Sequence, residues 1–369
     1  MRILLLSTGG KIGGEETFTR NLALALIKRG HYVEVCPGGQ IQKDDLIGRG
    51  INVCDVDITG RTPWAILRAA EKLTKYVEER DFQIVHVQAV GPALMGVYAK
   101  KFYKCTTPWL WHNHGITDFS YRFIVPLLDR LNLCISNSDY VYVMLRNHGI
   151  SIEKSKRIHN GIDYKSFEVT DYERIMNRQS VEQEFGISNC DKIITYVGRL
   201  SPEKGVIHLL KAFEKEYVDN PNISLLLVGD GVQRQEFEQF ASQSPAGKKI
   251  HFAGFRSDIK ELLSASNLLV LPSLIETFSL TSLQAFAVGV PVVASDVGGT
   301  PEQILDDFNG RLFKSEDSDN LKEKIHDVLS SEEKSARYIR NAKSLCINYL
   351  NVDRMIDEIE GVYYCQITK

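Results

Sequence analysis

No stretch of this chain is apolar for long enough to span a bilayer. The apolar start at residues 3–6 gives way at once to Ser7-Thr8-Gly9-Gly10, too short for a signal-peptide core. Neither sign of charge dominates: 44 basic and 47 acidic residues leave a formal charge of -3 over 369 residues. No global field would therefore draw the chain onto nucleic acid, and any anion it binds must be held by local groups. The seven cysteines are scattered, odd in number and without a C-x-x-C pair, which excludes a zinc-ribbon signature and points to reduced thiols and a cytoplasmic protein. No low-complexity tract, solenoid repeat or G-x-G-x-x-G after the first strand is present. The last of these absences argues against a dinucleotide dehydrogenase.

What is there is alternation. Apolar runs at 3–6, 31–36, 84–87, 109–111 and 133–135 are separated by helix-period stretches; one carries Phe18, Leu22, Ala25 and Leu26 and ends at Gly30. This predicts a parallel, doubly wound sheet. A polar segment at about 163–191 suits a linker with a short helix. Strands restart at 193–197, 225–228, 268–271 and 290–294, and a last helix at about 352–364 lies beyond them. The expected division is 1–164, with 352–369 packing back on it, and 165–351. Ligands in such sheets bind outside the carboxyl ends of the strands.

Three loops fall at those ends. In 198–205, Arg199 and Lys204 can converge on a diphosphate, the first as a fork and the second as a point charge, although an isolated pair of this kind is more often two solvated cations. In 272–280, helix-start amides near Phe278, Ser279 and Leu280 could serve phosphate or sugar oxygens. Glu276 beside them could take sugar hydroxyls and stabilise positive charge at an anomeric carbon, or could simply sit in the helix dipole. In 7–16, Gly13 and Gly14 let backbone amides approach an anion closely, or make a simple turn. His114, just past a strand, could hydrogen-bond a sugar, with His112 competing for the role and a structural histidine as the alternative. Two histidines two residues apart with no nearby third ligand make no metal site.

Taken in order, these motifs resemble the family-four retaining glycosyltransferases of GT-B fold over nearly the whole chain. They are Gly13-Gly14 with its following glutamates, P-x5-H-G at 108–115, N-G-I-D at 160–163, G-R-L-S-P-E-K-G at 198–205, P-S-x-x-E-T-F at 272–278 and the run at 289–302. The resemblance implies two Rossmann-like domains about a cleft and transfer from a UDP- or GDP-sugar, with no tightly bound cofactor or metal, to a glycan, lipid-linked or small-molecule acceptor. It implies that Gly198, Arg199, Lys204 and Gly229 serve the donor diphosphate side, that Phe255 and Arg256 flank the base, and that Glu276 and His114 lie at the sugar. Retention by a front-face route, in which the departing phosphate helps deprotonate the acceptor, is implied too. One departure stands out: the second glutamate of the family's E-x7-E pattern is Gln284, which weakens or re-tunes a ribose contact. It opens the alternative of a turnover-deficient subunit. Lys100, Lys101 and Lys104 interleaved with Phe102, Tyr103, Trp109 and Trp111, followed by 121–125, suggest either peripheral contact with an anionic inner membrane face or a helix with snorkelling lysines. Sugar, linkage and oligomeric state are not encoded in any readable motif.

Overall fold

In a computed structural model, which describes residues 1–8, 13–115 and 121–368, the alternation becomes two parallel sheets. The first contains β1 (Arg2–Leu6), β2 (Tyr32–Cys36), β3 (Asn52–Val53), β4 (Ile84–Val87), β5 (Trp109–Asn113), β6 (Leu133–Ser136) and β7 (Ser155–Arg157). Their order is β3-β2-β1-β4-β5-β6-β7. The second contains β8 (Lys192–Val197), β9 (Ile223–Val228), β10 (Ile250–Gly254), β11 (Leu268–Leu271), β12 (Val292–Ser295) and β13 (Arg311–Phe313), ordered β10-β9-β8-β11-β12-β13. Central strands such as β4, β9 and β11 are buried along their whole length because helices cover both faces, which is why they read as nearly continuous apolar runs. In each sheet the winding reverses once, between β1 and β4 and between β8 and β11. These are the switch points where connections leave toward opposite faces and the strand ends splay.

The chain divides into two compact units, Met1–His159 with Val352–Lys369, and Asn160–Asn351. Each has its own core: Trp109 and Trp111 are fully buried in the first, Tyr196, Phe213 and Phe237 in the second. The segment expected to be a linker is structured and packed. Its helix, Asp171–Phe185, opens with a Thr170/Glu173 capping box and is tied down by Arg174, whose guanidinium donates to the carbonyls of Ser264 (3.0 Å) and Val288 (2.8 Å). Its charges mislead because Arg174 and Arg178 spend theirs on buried carbonyls of the second unit.

The last helix, Val352–Ile367, belongs to the first unit. It buries Met355, Ile356, Ile359, Val362 and Tyr363, and its polar edge makes two ties. His31 Nε2 lies 2.5 Å from Glu360 Oε1, and the Tyr363 hydroxyl 2.6 Å from His86 Nδ1. Ile359→Ala removes a fully buried side chain from this seam, so it should cost about 2–5 kcal/mol. In urea unfolding the loss should appear in the transition of the first unit, with that of the second unmoved; a shift of the second would contradict the placement of the helix.

Candidate active site

The loops at the carboxyl ends of the second sheet are stitched to one another by backbone. Gly198 N–H donates to Val228 O, Leu200 N–H to Asp230 O, Gly229 N–H to Gly254 O, Leu274 N–H to Glu203 O and Gly299 N–H to Glu276 O, all at 2.8–3.0 Å. The packing is too close for side chains at several glycines; a Cβ on Gly198 would lie 2.6 Å from the Tyr196 hydroxyl. A Cβ on Gly229 (φ +134°) would lie 1.8 Å from Gly198 O, and one on Gly205 (φ +61°) 2.2 Å from Pro272 O. Gly198 and Gly229 thus have a packing reason for being glycine. Gly205 is the left-handed residue that lets the one-turn helix Pro202–Lys204 pass into the helix Val206–Asp219.

At the β8/β11 switch point this stitching sets Lys204 against Glu276, with Nζ 2.8 Å from Oε2 and both side chains mostly buried. Ser273 Oγ at 3.4 Å and the Thr277 amide at 3.1 Å also reach the carboxylate. Arg199 is different: its guanidinium is 71% exposed and touches Glu203 Oε1 at 3.1 Å. It pairs with Glu203 while Lys204 pairs with Glu276.

The Leu280–Val288 helix presents its first turn beside Glu276, with Ser279 as N-cap accepting from Ser282 N–H at 3.2 Å. The Ser279 amide, one of those expected to serve phosphate, donates instead to Gln303 Oε1 at 2.8 Å, while Gln303 Nε2 returns a bond to Ser279 O at 2.9 Å. The following amides of Leu280 and Thr281 head the helix without an intrahelical acceptor. The Phe278 ring is buried in the core. Gln284 is half-buried one turn further along. Phe255, expected to flank the base, is 61% exposed. Arg256, expected beside it, is not open: its guanidinium fork is closed on Asp258 (2.8 and 2.6 Å) and on Glu184. That role is structural, tying the β10 loop to the Asp171–Phe185 helix. Gln303, fully buried, went unassigned in the sequence because nothing in its own neighbourhood announces that it reaches back 24 residues to a helix cap.

In the first unit, the helix Gly14–Lys28 starts at Gly13, whose N–H goes to Glu16 Oε2 at 2.8 Å. Gly14 is open, with nothing within 4 Å of a Cβ built there. Glu15, given no role above, accepts from Ser7 Oγ (3.1 Å) and Thr8 N–H (3.2 Å). Burial, then the charge of Glu16, pushes its carboxyl up to about 7. His114 follows β5, with its Nε2 2.8 Å from Gln88 Oε1, and burial lowers its pKa to about 3, so the ring is neutral at any physiological pH. His112 is fully buried and does not compete for an exposed role. Residues 9–12 and 116–120 lie outside the described residues.

Two family models divide the chain between them: Glycosyltransferase Family 4 over residues 12–166 and Glycosyl transferases group 1 over residues 177–345. The chain belongs to the family-four glycosyltransferases. Among its relatives, N-acetyl-alpha-D-glucosaminyl L-malate synthase of Bacillus anthracis is 25% identical, with 96% of this chain and 94% of that protein aligned. UDP-Gal:alpha-D-GlcNAc-diphosphoundecaprenol alpha-1,3-galactosyltransferase of Escherichia coli is 24% identical over 80% of this chain and 79% of its own. HepE of Anabaena, solved in complex with UDP and glucose, superposes with a TM-score of 0.88 at 24% identity, covering 99% of this chain and 100% of that one. The fold is therefore GT-B, and the stitched loops are the strand-end loops of a glycosyltransferase.

Gln303→Leu would sever both bonds to Ser279 and strand a buried N–H and C=O, so it should cost about 2–5 kcal/mol. Urea denaturation measures this; a loss within 0.5 kcal/mol would mean the cap does not depend on the amide.

Proposed function

We propose that this glycosyltransferase moves a hexose or related sugar, with retention, from a nucleoside-diphosphate donor to a glycan, lipid-linked or small-molecule acceptor, without a tightly bound metal. The observation that carries the reading is the Lys204–Glu276 pair at the switch point of the second sheet. An ammonium has three donors, so Lys204 can keep one on Glu276 and offer others to the diphosphate. The Leu280 and Thr281 amides add the positive end of a helix dipole, and Arg199 swings in from solvent as a fork. Glu276, held by Lys204, then accepts sugar hydroxyls and stands near the anomeric carbon as positive charge develops. Cationic side chains supply what a metal would otherwise supply. Uridine is favoured over guanosine because the Escherichia coli relative is named for a UDP-sugar and HepE was solved with UDP. Phe255 is the ring on which the base stacks.

Release of nucleoside diphosphate from a panel of nucleotide-sugars tests this, with the anomeric configuration of the product read by NMR. One donor should be turned over, EDTA should change nothing, and Glu276→Ala and Lys204→Ala should each lower kcat/KM by about a hundredfold or more. Gln284→Glu, measured alongside by calorimetry, should tighten donor binding by only about twofold, because the charged acceptor it gives the ribose is largely offset by repulsion from the diphosphate. No turnover with any donor or crude acceptor, restored by Gln284→Glu, would favour the turnover-deficient subunit that Gln284 motivates.

We further propose peripheral contact with an anionic membrane surface at the cytoplasmic face. The helices Val90–Tyr103 and Tyr121–Leu128 pack together and leave Phe102 (54%) and Phe123 (71%) exposed, with Lys101, Lys104 and Arg122 also exposed. Lys100 is the exception, its ammonium half-buried and its pKa lowered by that burial. Co-flotation with phosphatidylglycerol vesicles at low salt, weakened by added salt and by Phe123→Ser, is expected; no flotation at low salt removes the idea.

A further inference from the structure

Of the seven cysteines five are buried, and two of these lie side by side. Cys36 ends β2. The pairing of β2 with β3, Glu34 to Asn52 and Val35 to Val53, runs on one step to Cys54, whose N–H still donates to Val35 O at 2.9 Å. Residues directly across a parallel ladder share a face and stand about 5 Å apart at the backbone. That falls inside the span of about 4.4–6.8 Å between Cα atoms that a disulfide bridges. Both side chains belong to the core of the first unit, and both meet the same residue. Cys36 Sγ lies 3.0 Å from Val56 O, while Cys54 is met by the Val56 N–H and by the hydroxyl of Tyr76, from the helix Pro63–Glu79.

The two thiols are not equivalent. Their mutual contact, with burial adding to it, holds the Cys36 thiol above its usual range. The same contact, helped by Val56 and Tyr76, outweighs burial at Cys54 and holds that thiol below it. Cys54 is thus the sulfur that ionises first, and the thiolate is the form an oxidant attacks. Cys134 and Cys346, by contrast, are pushed up by burial. Access to Cys54 comes through the margin of the sheet: β3 is a two-residue edge strand, and Asp55 and Asp57 just beyond are exposed. Such a margin opens locally at little cost, which admits a molecule as small as hydrogen peroxide.

We propose that Cys36 and Cys54 are a redox pair, closing to a reversible disulfide under a hydroperoxide and thereby re-setting the loop after β1. The Cys54 thiolate attacks a peroxide oxygen, the O–O bond breaks, and Cys54 becomes a sulfenic acid as hydroxide leaves. The Cys36 sulfur then attacks the Cys54 sulfur; the S–S bond forms, and the sulfenic hydroxyl departs with the Cys36 proton as water. Two thiols give up two electrons, and hydrogen peroxide is reduced to two molecules of water. A dithiol reverses the closure by exchange. The main chain carries the effect onward: Cys36 O accepts from Ser7 N–H at 3.1 Å, and Gly38 packs so tightly on Thr8 that a Cβ there would lie 2.2 Å from the Thr8 carbonyl carbon. Ser7 and Thr8 in turn hold Glu15 at the head of the Gly14–Lys28 helix. An effect on sugar transfer rests on the function proposed above; the disulfide does not.

The test exposes the full chain, without denaturant, to hydrogen peroxide and maps its cysteines by mass spectrometry. Cys36 and Cys54 should be found joined, with loss of two hydrogens, and dithiothreitol should restore both thiols. Cys190 and Cys365 are exposed, so their oxidation reports that the peroxide was active. On closure, hydrogen exchange at the Ser7 amide should change about tenfold, and nucleoside-diphosphate release should fall about tenfold; both should revert on reduction. Neither the bridge nor these changes should occur in Cys54→Ser or Cys54→Ala. Oxidised Cys190 and Cys365 beside intact Cys36 and Cys54 thiols overturn the proposal, as does a bridge to any other cysteine. A Cys36–Cys54 bridge that leaves Ser7 exchange unmoved overturns its action on the loop. Should the bridge form and the loop respond with no release in either redox state, the reading as a working transferase fails instead.

Discussion

A parallel sheet whose winding reverses between two neighbouring strands cannot close its own carboxyl edge, because the connections leave toward opposite faces. The rest of the molecule is arranged around that constraint. In the second sheet the splayed ends are those of β8 and β11, and what occupies the opening is the Lys204–Glu276 pair. In the first sheet they are β1 and β4, and there Gln88 reaches back to Leu6 with its main chain and out to His114 with its side chain. The glycines that crowd the second opening, above all Gly229 against Gly198, let loops from adjacent strands approach until backbone bonds to backbone. A rigid rim holds charged side chains at low entropic cost to any ligand that must find them in place.

The two rims are set electrically in different ways. In the second unit the charges come in pairs, Lys204 with Glu276 and Arg199 with Glu203. A mostly buried pair cannot lose one partner cheaply, since the charge left behind is desolvated and uncompensated. That is why Lys204 holds Glu276 in place as well as offering a cation. In the first unit burial works against charge on the rim: His86, His112 and His114 are driven down to the neutral form, and Glu15, beside the charge of Glu16, is driven up to about 7.

What was legible in the sequence followed from burial. The central strands β1, β4, β5, β8, β9, β11 and β12 are apolar on both faces and were all read as runs. The strands that escaped, β3, β7, β10 and β13, are the four edges of the two sheets. An edge strand has one ladder and one solvated side, so β7 reads Ser-Lys-Arg and β13 has three residues, neither carrying a periodic signal. The same logic governs the site. Lys204 and Glu276 were legible because each sits in a loop at a strand's carboxyl end, where position alone raises the odds of function. Arg256 is placed beside the base only by the family resemblance, and its charge is taken up by Asp258 and Glu184, partners two residues and 72 residues away. Gln303 and Gln88 act over separations of 24 and 26 residues, through an amide that no local pattern distinguishes from a surface glutamine.

Gln284 is where two effects must be weighed. On the proposed reading that this position faces the donor ribose, a carboxylate would bond a ribose hydroxyl with charge assistance, about 1.5–3 kcal/mol against about 0.5–1.5 for a neutral amide. It would also add an anion to a site that is to receive a diphosphate, and like charges held several ångströms apart in a half-solvated groove repel by about 1 kcal/mol. The loops already pair each cation with an anion, Arg199 with Glu203 and Lys204 with Glu276, so nothing nearby is spare to offset a further negative charge. The hydrogen-bond gain still exceeds the repulsion, but only narrowly. An amide here therefore forgoes little net affinity, and it offers a donor as well as an acceptor to a sugar whose hydroxyls can use both. Gln284 is thus compatible with a working donor site whose ribose grip is lighter and less dependent on charge.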